Sequence, residues 1–218
     1  MTADERTVSF INSLDRGNPP YLNEIEKLAR KTNVPVIRTE MQSFLRMLLS
    51  LHRPDNILEV GTAIGFSALL MSEYAPTGCR VTTIEKFEKR IPLAKDNFKN
   101  AGKEKEITLL EGDALTILKE LQGTYDFIFM DAAKGQYIHF LPEVLRLLPF
   151  GGLLVSDNVL QDGDVMESRF AVTRRNRTIH SRMRDYLYEL KHNDNLETAI
   201  LPLGDGVAVS VKIESMEK

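Results

Sequence analysis

Ile57-Leu58-Glu59-Val60-Gly61-Thr62-Ala63-Ile64-Gly65-Phe66-Ser67 is the stretch that decides the fold. An apolar run of strand length breaks at two glycines and passes into a helical pattern from Ser67 to Tyr74, the sequence form of a strand, a tight turn and a helix. Glycine permits a positive φ and lets a ligand come close to the backbone. A dinucleotide fingerprint would read G-x-G-x-x-G and hold a pyrophosphate at the helix N-terminus. This chain reads E-x-G-x-x-x-G, and an acid at Glu59 suits a cationic ligand.

Outward from that turn, strands and helices alternate. Asn56 to Val60, Val81 to Ile84, Ile107 to Leu110, Tyr125 to Met130 and Leu153 to Val155 are strand-like runs; Ser67 to Tyr74, Glu88 to Asn100, Ala114 to Leu121 and Tyr137 to Leu148 are helical ones. Such alternation predicts a parallel sheet covered by helices on both faces. The end differs: Ala199 to Leu203 and Val207 to Lys212 are separated by Gly204-Asp205-Gly206, too short for a crossover, which predicts an antiparallel hairpin. Before the first strand, Val8 to Leu14 is amphipathic, and Leu22, Ile25 and Leu28 recur at helical spacing until Asn33 and Pro35. Thr39 and Gln42 have capping-box spacing ahead of an apolar face of Met41, Phe44, Leu45, Leu48 and Leu49, which Pro54 ends. The expected organisation is a single domain over 1–218, with a helical cap at 1–53 and an α/β core at 54–218.

At 218 residues and 43% hydrophobic content the chain can bury one substantial core and is not composed as a disordered protein. The lone Cys79 can form no disulfide within the chain, and polar Thr2, Asp4, Glu5 and Arg6 are not followed by a signal-type apolar core. No run is long enough for a membrane span. The expectation is a soluble cytoplasmic protein without a membrane partner. A net charge of −3 gives no global attraction to nucleic acid.

Two acidic clusters hang off predicted strand ends: Phe129-Met130-Asp131-Ala132-Ala133-Lys134 and Val155-Ser156-Asp157-Asn158. Strand ends are where open α/β sheets hold ligands. Asp131, Asp157 and Asn158 offer hard oxygen donors, which suit magnesium or another octahedral cation such as manganese, and the clusters contain no Cys or His that would favour zinc. Lys134, one turn beyond Asp131, is the candidate general base: a cation acidifies an acceptor hydroxyl and a neighbouring amine takes the proton. Glu85 closes the second strand where an acid can accept hydrogen bonds from ribose hydroxyls, and Gly112-Asp113-Ala114 after the third offers a helix cap and an adenine-edge contact.

With these residues in place, the sequence resembles the class I S-adenosylmethionine-dependent methyltransferases, and within them the metal-dependent O-methyltransferases that include the catechol and caffeoyl-CoA enzymes. The motifs that carry the likeness run in order along the chain: Glu59-Val60-Gly61-Thr62 with Ser67, Glu85, Gly112-Asp113-Ala114, Asp131-Ala132-Ala133-Lys134 and Asp157-Asn158. The resemblance implies a Rossmann-like sheet of order 3-2-1-4-5-7-6 with strand 7 antiparallel. It also implies a pocket for S-adenosylmethionine lined by Glu59, Gly61, Thr62, Ser67, Glu85, Asp113, Ala114 and Asp131, closed over by Glu40 and Met41.

One segment departs from the acidic mean. Between Arg169 and Arg184 the chain places six arginines (Arg169, Arg174, Arg175, Arg177, Arg182 and Arg184) and no acid. A solvated helix face is one meaning, because Ile179, Met183, Leu187 and Leu190 form a buried stripe; phosphate contacts beside the active-site mouth are the other. In 5-hydroxyuridine the C5 hydroxyl adjoins the C4 carbonyl, so the pair can chelate a cation as the oxygens of a catechol do. Among the O-methyltransferases the chain is most similar to the bacterial tRNA 5-hydroxyuridine methyltransferases, through Asp131 to Tyr137, Ser156 to Leu160, the arginine cluster and Pro202-Leu203-Gly204-Asp205-Gly206. That likeness implies a tRNA anticodon loop as substrate; the alternative is a small catechol or caffeoyl-CoA-type acceptor. The apolar surface of the N-terminal helices adds the expectation of a homodimer.

Overall fold

The computed structural model describes residues 5–214; Thr2 and Asp4 of the polar N-terminal stretch lie outside them. Three helices open the chain: α1 (Glu5–Ser13), α2 (Pro20–Lys31) and α3 (Thr39–His52). Strands and helices then alternate as β1 (Asn56–Val60), α4 (Phe66–Tyr74), β2 (Arg80–Glu85), α5 (Ile91–Asn100), β3 (Ile107–Glu111), α6 (Ala114–Glu120), β4 (Phe127–Met130), α7 (Tyr137–Leu147) and β5 (Leu153–Ser156). The chain ends in α8 (Arg177–His192), β6 (Leu196–Leu201) and β7 (Val207–Lys212). The strands form one seven-stranded sheet of order β3-β2-β1-β4-β5-β7-β6. β1, β2 and β3 pair in parallel, as do β4 and β5, whereas β7 runs antiparallel to both β5 and β6.

Residue contacts divide the chain into two compact units, one ending at Ile117 and the other beginning at Leu118. In the first, Ile57, Leu58 and Val60 of β1 are fully buried, and α4 hides Phe66 to Ser72 on every side. A helix that is apolar all round is a core helix rather than an amphipathic surface one, and α2 and α3 pack against it. In the second unit every residue of β4 and β5 is buried, and His180, Met183, Tyr186 and Leu190 form the inward stripe of α8.

Several local expectations are corrected. Thr39 and Gln42 make no capping box: Arg38 is the N-cap residue, no side chain caps the helix, and Gln42 Nε2 turns inward to the Ile37 carbonyl at 3.0 Å. Leu28 is 51% exposed, and Ala29 takes the buried position beside Leu22 and Ile25. β4 begins at Phe127 rather than Tyr125, and β6 runs from Leu196 to Leu201, earlier than the sequence suggests, because Leu196 and Thr198 alternate inward past the exposed Glu197. The helix expected from Glu88 begins at Ile91 with Pro92 in its first turn, a position where proline is tolerated.

Candidate active site

In the unit ending at Ile117 the turn after β1 is held open by its backbone. Gly61 (φ 108°) and Gly65 (φ 85°) take left-handed conformations, and so does Ala63 (φ 47°), a non-glycine residue in strained geometry. The Gly61 and Thr62 amides both donate to the Ile84 carbonyl at 3.1 Å. A Cβ built on Gly65 would stand 2.4 Å from the Phe98 ring, so only glycine fits between the turn and α5. Glu85, at the end of β2, binds this loop through one carboxylate oxygen, which accepts the Ala63 amide at 2.8 Å, while the other accepts the amides of its own successors, Lys86 at 3.0 Å and Phe87 at 2.8 Å.

Glu59 is fully buried and accepts a hydrogen bond from the Thr83 hydroxyl. Because Thr83 spends its proton there, the Thr62 hydroxyl donates to Thr83 across 2.5 Å, giving a relay from Thr62 to Thr83 to Glu59. Ser67 is buried in the first turn of α4. Gly112 (φ 146°) donates to the Glu85 carbonyl at 2.9 Å, and exposed Asp113 caps α6 through the Leu115 amide at 3.0 Å and meets Lys86 at 3.6 Å. The structure therefore brings the glycine turn, Glu85 and Asp113 to one end of the strands, with Ala114 opening α6. Met41 is buried on α3, and Glu40 accepts the Asn12 amide at 3.2 Å. A cleft of about 740 Å³ along the N-terminal helices takes Glu40 into its lining but none of the other candidate residues.

The second unit holds the acid cluster. Met130 and Ser156 are register partners on the parallel strands β4 and β5, which sets Asp131 and Asp157 side by side at the same sheet edge. Asn158, in the left-handed region at φ 60°, gives its Nδ2 to Asp131 at 2.9 Å and its backbone amide to Asp157 at 2.7 Å. Tyr137, absent from the sequence-based site, fastens the two strand ends together. Its fully buried hydroxyl lies 3.1 Å from the carbonyls of both Met130 and Asp157 and accepts the Ala132 amide at 3.3 Å. Burial, reinforced by the nearby Asp131 and Asp157 charges, holds the Tyr137 phenol well above its ordinary pKa, so it stays a neutral donor.

Burial also raises the carboxyl of Asp131, although the Asn158 hydrogen bond and the Lys134 charge oppose the shift. Asp131 is half-buried as a residue, yet its carboxylate is desolvated by the chain around it. Asp157 is pushed up to about 7, chiefly by burial and next by Asp131. Two desolvated carboxylates this close repel when both are ionised, and a cation relieves the repulsion. Among the described residues no group of three His, Cys, Asp or Glu side chains could hold a metal ion. The donor set here is two carboxylates and an amide, with Asn158 Oδ1 the third oxygen, and it fits a hard octahedral cation that keeps waters or substrate in its remaining positions.

Lys134 lies in a short 3-10 turn after Asp131 and donates to Asp205 Oδ2 at 2.8 Å. Asp205 is a second residue that sequence reasoning left without a role. It sits in the turn between β6 and β7, between Gly204 and Gly206, both at positive φ, and that turn accepts the Leu160 amide at the Asp205 carbonyl and the Val159 amide at the Gly206 carbonyl, each at 2.9 Å. The acid between two glycines was the available signal. The arginine segment also reaches this side: Arg182 donates to the carbonyl of Gly135, next to Lys134, at 3.1 Å, and Arg177 donates to the Val172 carbonyl at 3.3 Å. Arg169, Arg174 and Arg175 are exposed, and no acid pairs with them among the described residues.

Comparison with known proteins agrees with this arrangement. The sequence profile of the O-methyltransferase family matches residues 12–213. Caffeoyl-CoA O-methyltransferase 2 of Populus trichocarpa is 30% identical over 208 residues, covering 90% of this chain and 83% of the plant protein. A Staphylococcus aureus protein solved as a candidate caffeoyl-CoA O-methyltransferase superposes with a TM-score of 0.88 at 30% identity, over 96% of this chain and all (100%) of that one. An SAH-bound methyltransferase of Podospora anserina superposes with a TM-score of 0.86 at 25% identity, over 96% of this chain and 94% of that one.

Proposed function

The chain belongs to the O-methyltransferase family, and from that premise we propose that it transfers the methyl group of S-adenosylmethionine, with magnesium or a similar divalent cation, to the 5-hydroxyl of 5-hydroxyuridine in the wobble position of a tRNA anticodon loop. The observation that carries the chemistry is the meeting of Asp131, Asp157 and Asn158 at adjacent strand ends, with the Lys134–Asp205 pair alongside. When bound, the cation would supply Lewis acidity toward the acceptor hydroxyl and the cofactor a methyl group on a sulfonium.

Asp131, Asp157 and Asn158 would hold the cation. Gly61, Thr62, Ser67, Glu85, Asp113 and Ala114 would hold the cofactor, for which the buried acid Glu59 and the glycine turn form a cradle suited to a cationic ligand rather than a pyrophosphate. Lys134, in its neutral form, takes the acceptor's proton at Nζ, and Asp205 then holds the ammonium so formed in the ion pair seen at 2.8 Å.

The choice of RNA is supported by the exposed Arg169, Arg174 and Arg175, with which no acid pairs among the described residues, in a chain of net charge −3. A second reading, transfer to a small vicinal diol, is favoured by the identity to the Populus enzyme. Incubation with labelled S-adenosylmethionine, magnesium and either catechol or tRNA bearing 5-hydroxyuridine separates the two, with a chelator control. Label entering tRNA far faster, and only without chelator, is expected; label entering catechol far faster overturns the RNA reading. We further propose a homodimer through the N-terminal helices, where Phe10 and Ile11 of α1, Leu14 just after it and Leu51 of α3 are all more than half exposed.

A further inference from the structure

Phe170 is 86% exposed, the most exposed of the large apolar side chains among the described residues. Leaving a phenyl ring in water forgoes the stabilisation that burial would give, so an aromatic displayed to this degree calls for a physical reason. The segment that displays it is fastened on both sides. Val165 and Val172 are buried, Arg184 donates to the Val165 carbonyl at 2.9 Å, Asn176 donates to Asp164 at 3.1 Å, and buried His180 meets the Glu167 carbonyl at 3.0 Å. Between those anchors, the amides of Ala171 at 2.8 Å and Val172 at 3.3 Å turn back to the Ser168 carbonyl. Phe170 stands in that turn, with exposed Arg169 before it and exposed Arg174 and Arg175 four and five residues after it.

We infer that Phe170 is a stacking platform for an unpaired base of RNA, with Arg169, Arg174 and Arg175 as its phosphate contacts. Resting on the RNA reading above, the inference names the residue that engages the loop. An exposed aromatic in a segment of exposed arginines is the composition of single-strand recognition: the ring stacks on any base with a free π-face while the guanidinium groups follow the backbone. A paired duplex offers no such face, so Phe170 discriminates loop from stem whereas the arginines bind both. The segment runs from Asn158 of the acid cluster into α8, whose Arg182 donates to the Gly135 carbonyl beside Lys134, so both of its ends are tied to the elements that carry the site. A second copy of this chain is a poorer occupant, because a two-fold contact through the segment would set arginines against arginines.

The chain contains no tryptophan, which makes the test direct. Phe170→Trp introduces a lone fluorophore in the turn, and stacking quenches it. Phe170→Ala and Phe170→Leu are compared with wild type by anisotropy of a labelled anticodon stem-loop and of a fully paired duplex, with melting temperatures checked to match. Strong quenching of the tryptophan by the stem-loop and little by the duplex is expected. Stem-loop binding should weaken about tenfold or more in both the alanine and leucine variants, with duplex binding unchanged. If wild type binds the stem-loop and Phe170→Ala binds it equally well, the stacking role falls and the RNA reading stands. If wild type binds neither RNA at low salt, both fall. Phe170-dependent binding to vesicles of phosphatidylcholine and phosphatidylserine, or a Phe170-dependent change of mass in light scattering, without stem-loop binding, also overturns the inference, assigning the turn to a lipid surface or to a second copy.

Discussion

Lys134 Nζ lies 2.8 Å from Asp205 Oδ2, although 71 residues separate them in the chain, and the Asp205 side chain is only 6% exposed. A carboxylate so enclosed has one orientation, and it fixes the amine that faces it. Asp205→Asn keeps the shape of the side chain and removes its charge. Turnover should drop roughly 10- to 100-fold, the value of a charge-assisted hydrogen bond, while S-adenosylmethionine affinity stays near wild type. Initial rates at saturating cofactor, beside a binding isotherm, check this; unchanged turnover would show that Lys134 needs no partner.

Tyr137→Phe keeps the ring that meets Tyr186 edge-on and deletes the hydroxyl that joins the Met130 and Asp157 carbonyls. The Met130 carbonyl keeps the Asp157 amide at 2.9 Å, but the Asp157 carbonyl and the Ala132 amide lose this partner, a cost of about 1–3 kcal/mol. Thermal melting should fall by roughly 2–4 °C for each kcal/mol lost. A melting curve superimposable on wild type would remove Tyr137 from the framework of the site.

Asp157 stays protonated up to about 7 in the folded chain, against an ordinary value of 3.8, because burial and Asp131 both disfavour its charge. The stability this group contributes is therefore complete at pH below its ordinary value and is lost as pH rises through about 7. A cation that needs both carboxylates ionised reverses the penalty and must displace a proton at low pH. Magnesium should accordingly raise the melting temperature clearly above neutral pH and barely at mildly acidic pH. Equal magnesium effects at the two pH values would argue against Asp157 as a ligand.

No residue of α1 is buried, while Phe10, Ile11 and Leu14 lie open at 64%, 54% and 67%. Light scattering at micromolar concentration should give the mass of two chains, and Ile11→Glu with Leu14→Glu should halve it. A wild-type mass of one chain would contradict the dimer.

Much of the fold could be read from local patterns. The change from helical spacing in α3 to strand-length apolar runs from β1 onward, and the short link before β7, together imply a parallel sheet that ends in an antiparallel hairpin, while the strand order follows from the resemblance to the O-methyltransferases. Strand ends and helix starts were less legible. Gln42 has the right spacing for a capping box, but its amide is drawn inward by the Ile37 carbonyl, a tertiary contact that spacing does not encode. The site divides in the same way. Asp131, Asp157 and Asn158 could be found because strand ends collect ligands, but their fastening by Tyr137, the pairing of Lys134 with Asp205 and the Ala63 amide on Glu85 depend on how distant segments meet. The exposure of Phe170 was equally invisible, since a phenylalanine in a sequence reads as core until its surroundings are known.

The most direct test of the account is the comparison of wild type with Lys134→Ala for methyl transfer to an anticodon stem-loop bearing 5-hydroxyuridine, with S-adenosylmethionine affinity measured on the same preparations. The account predicts turnover reduced by roughly a hundredfold or more with cofactor affinity little changed. Near-normal turnover in Lys134→Ala would contradict it.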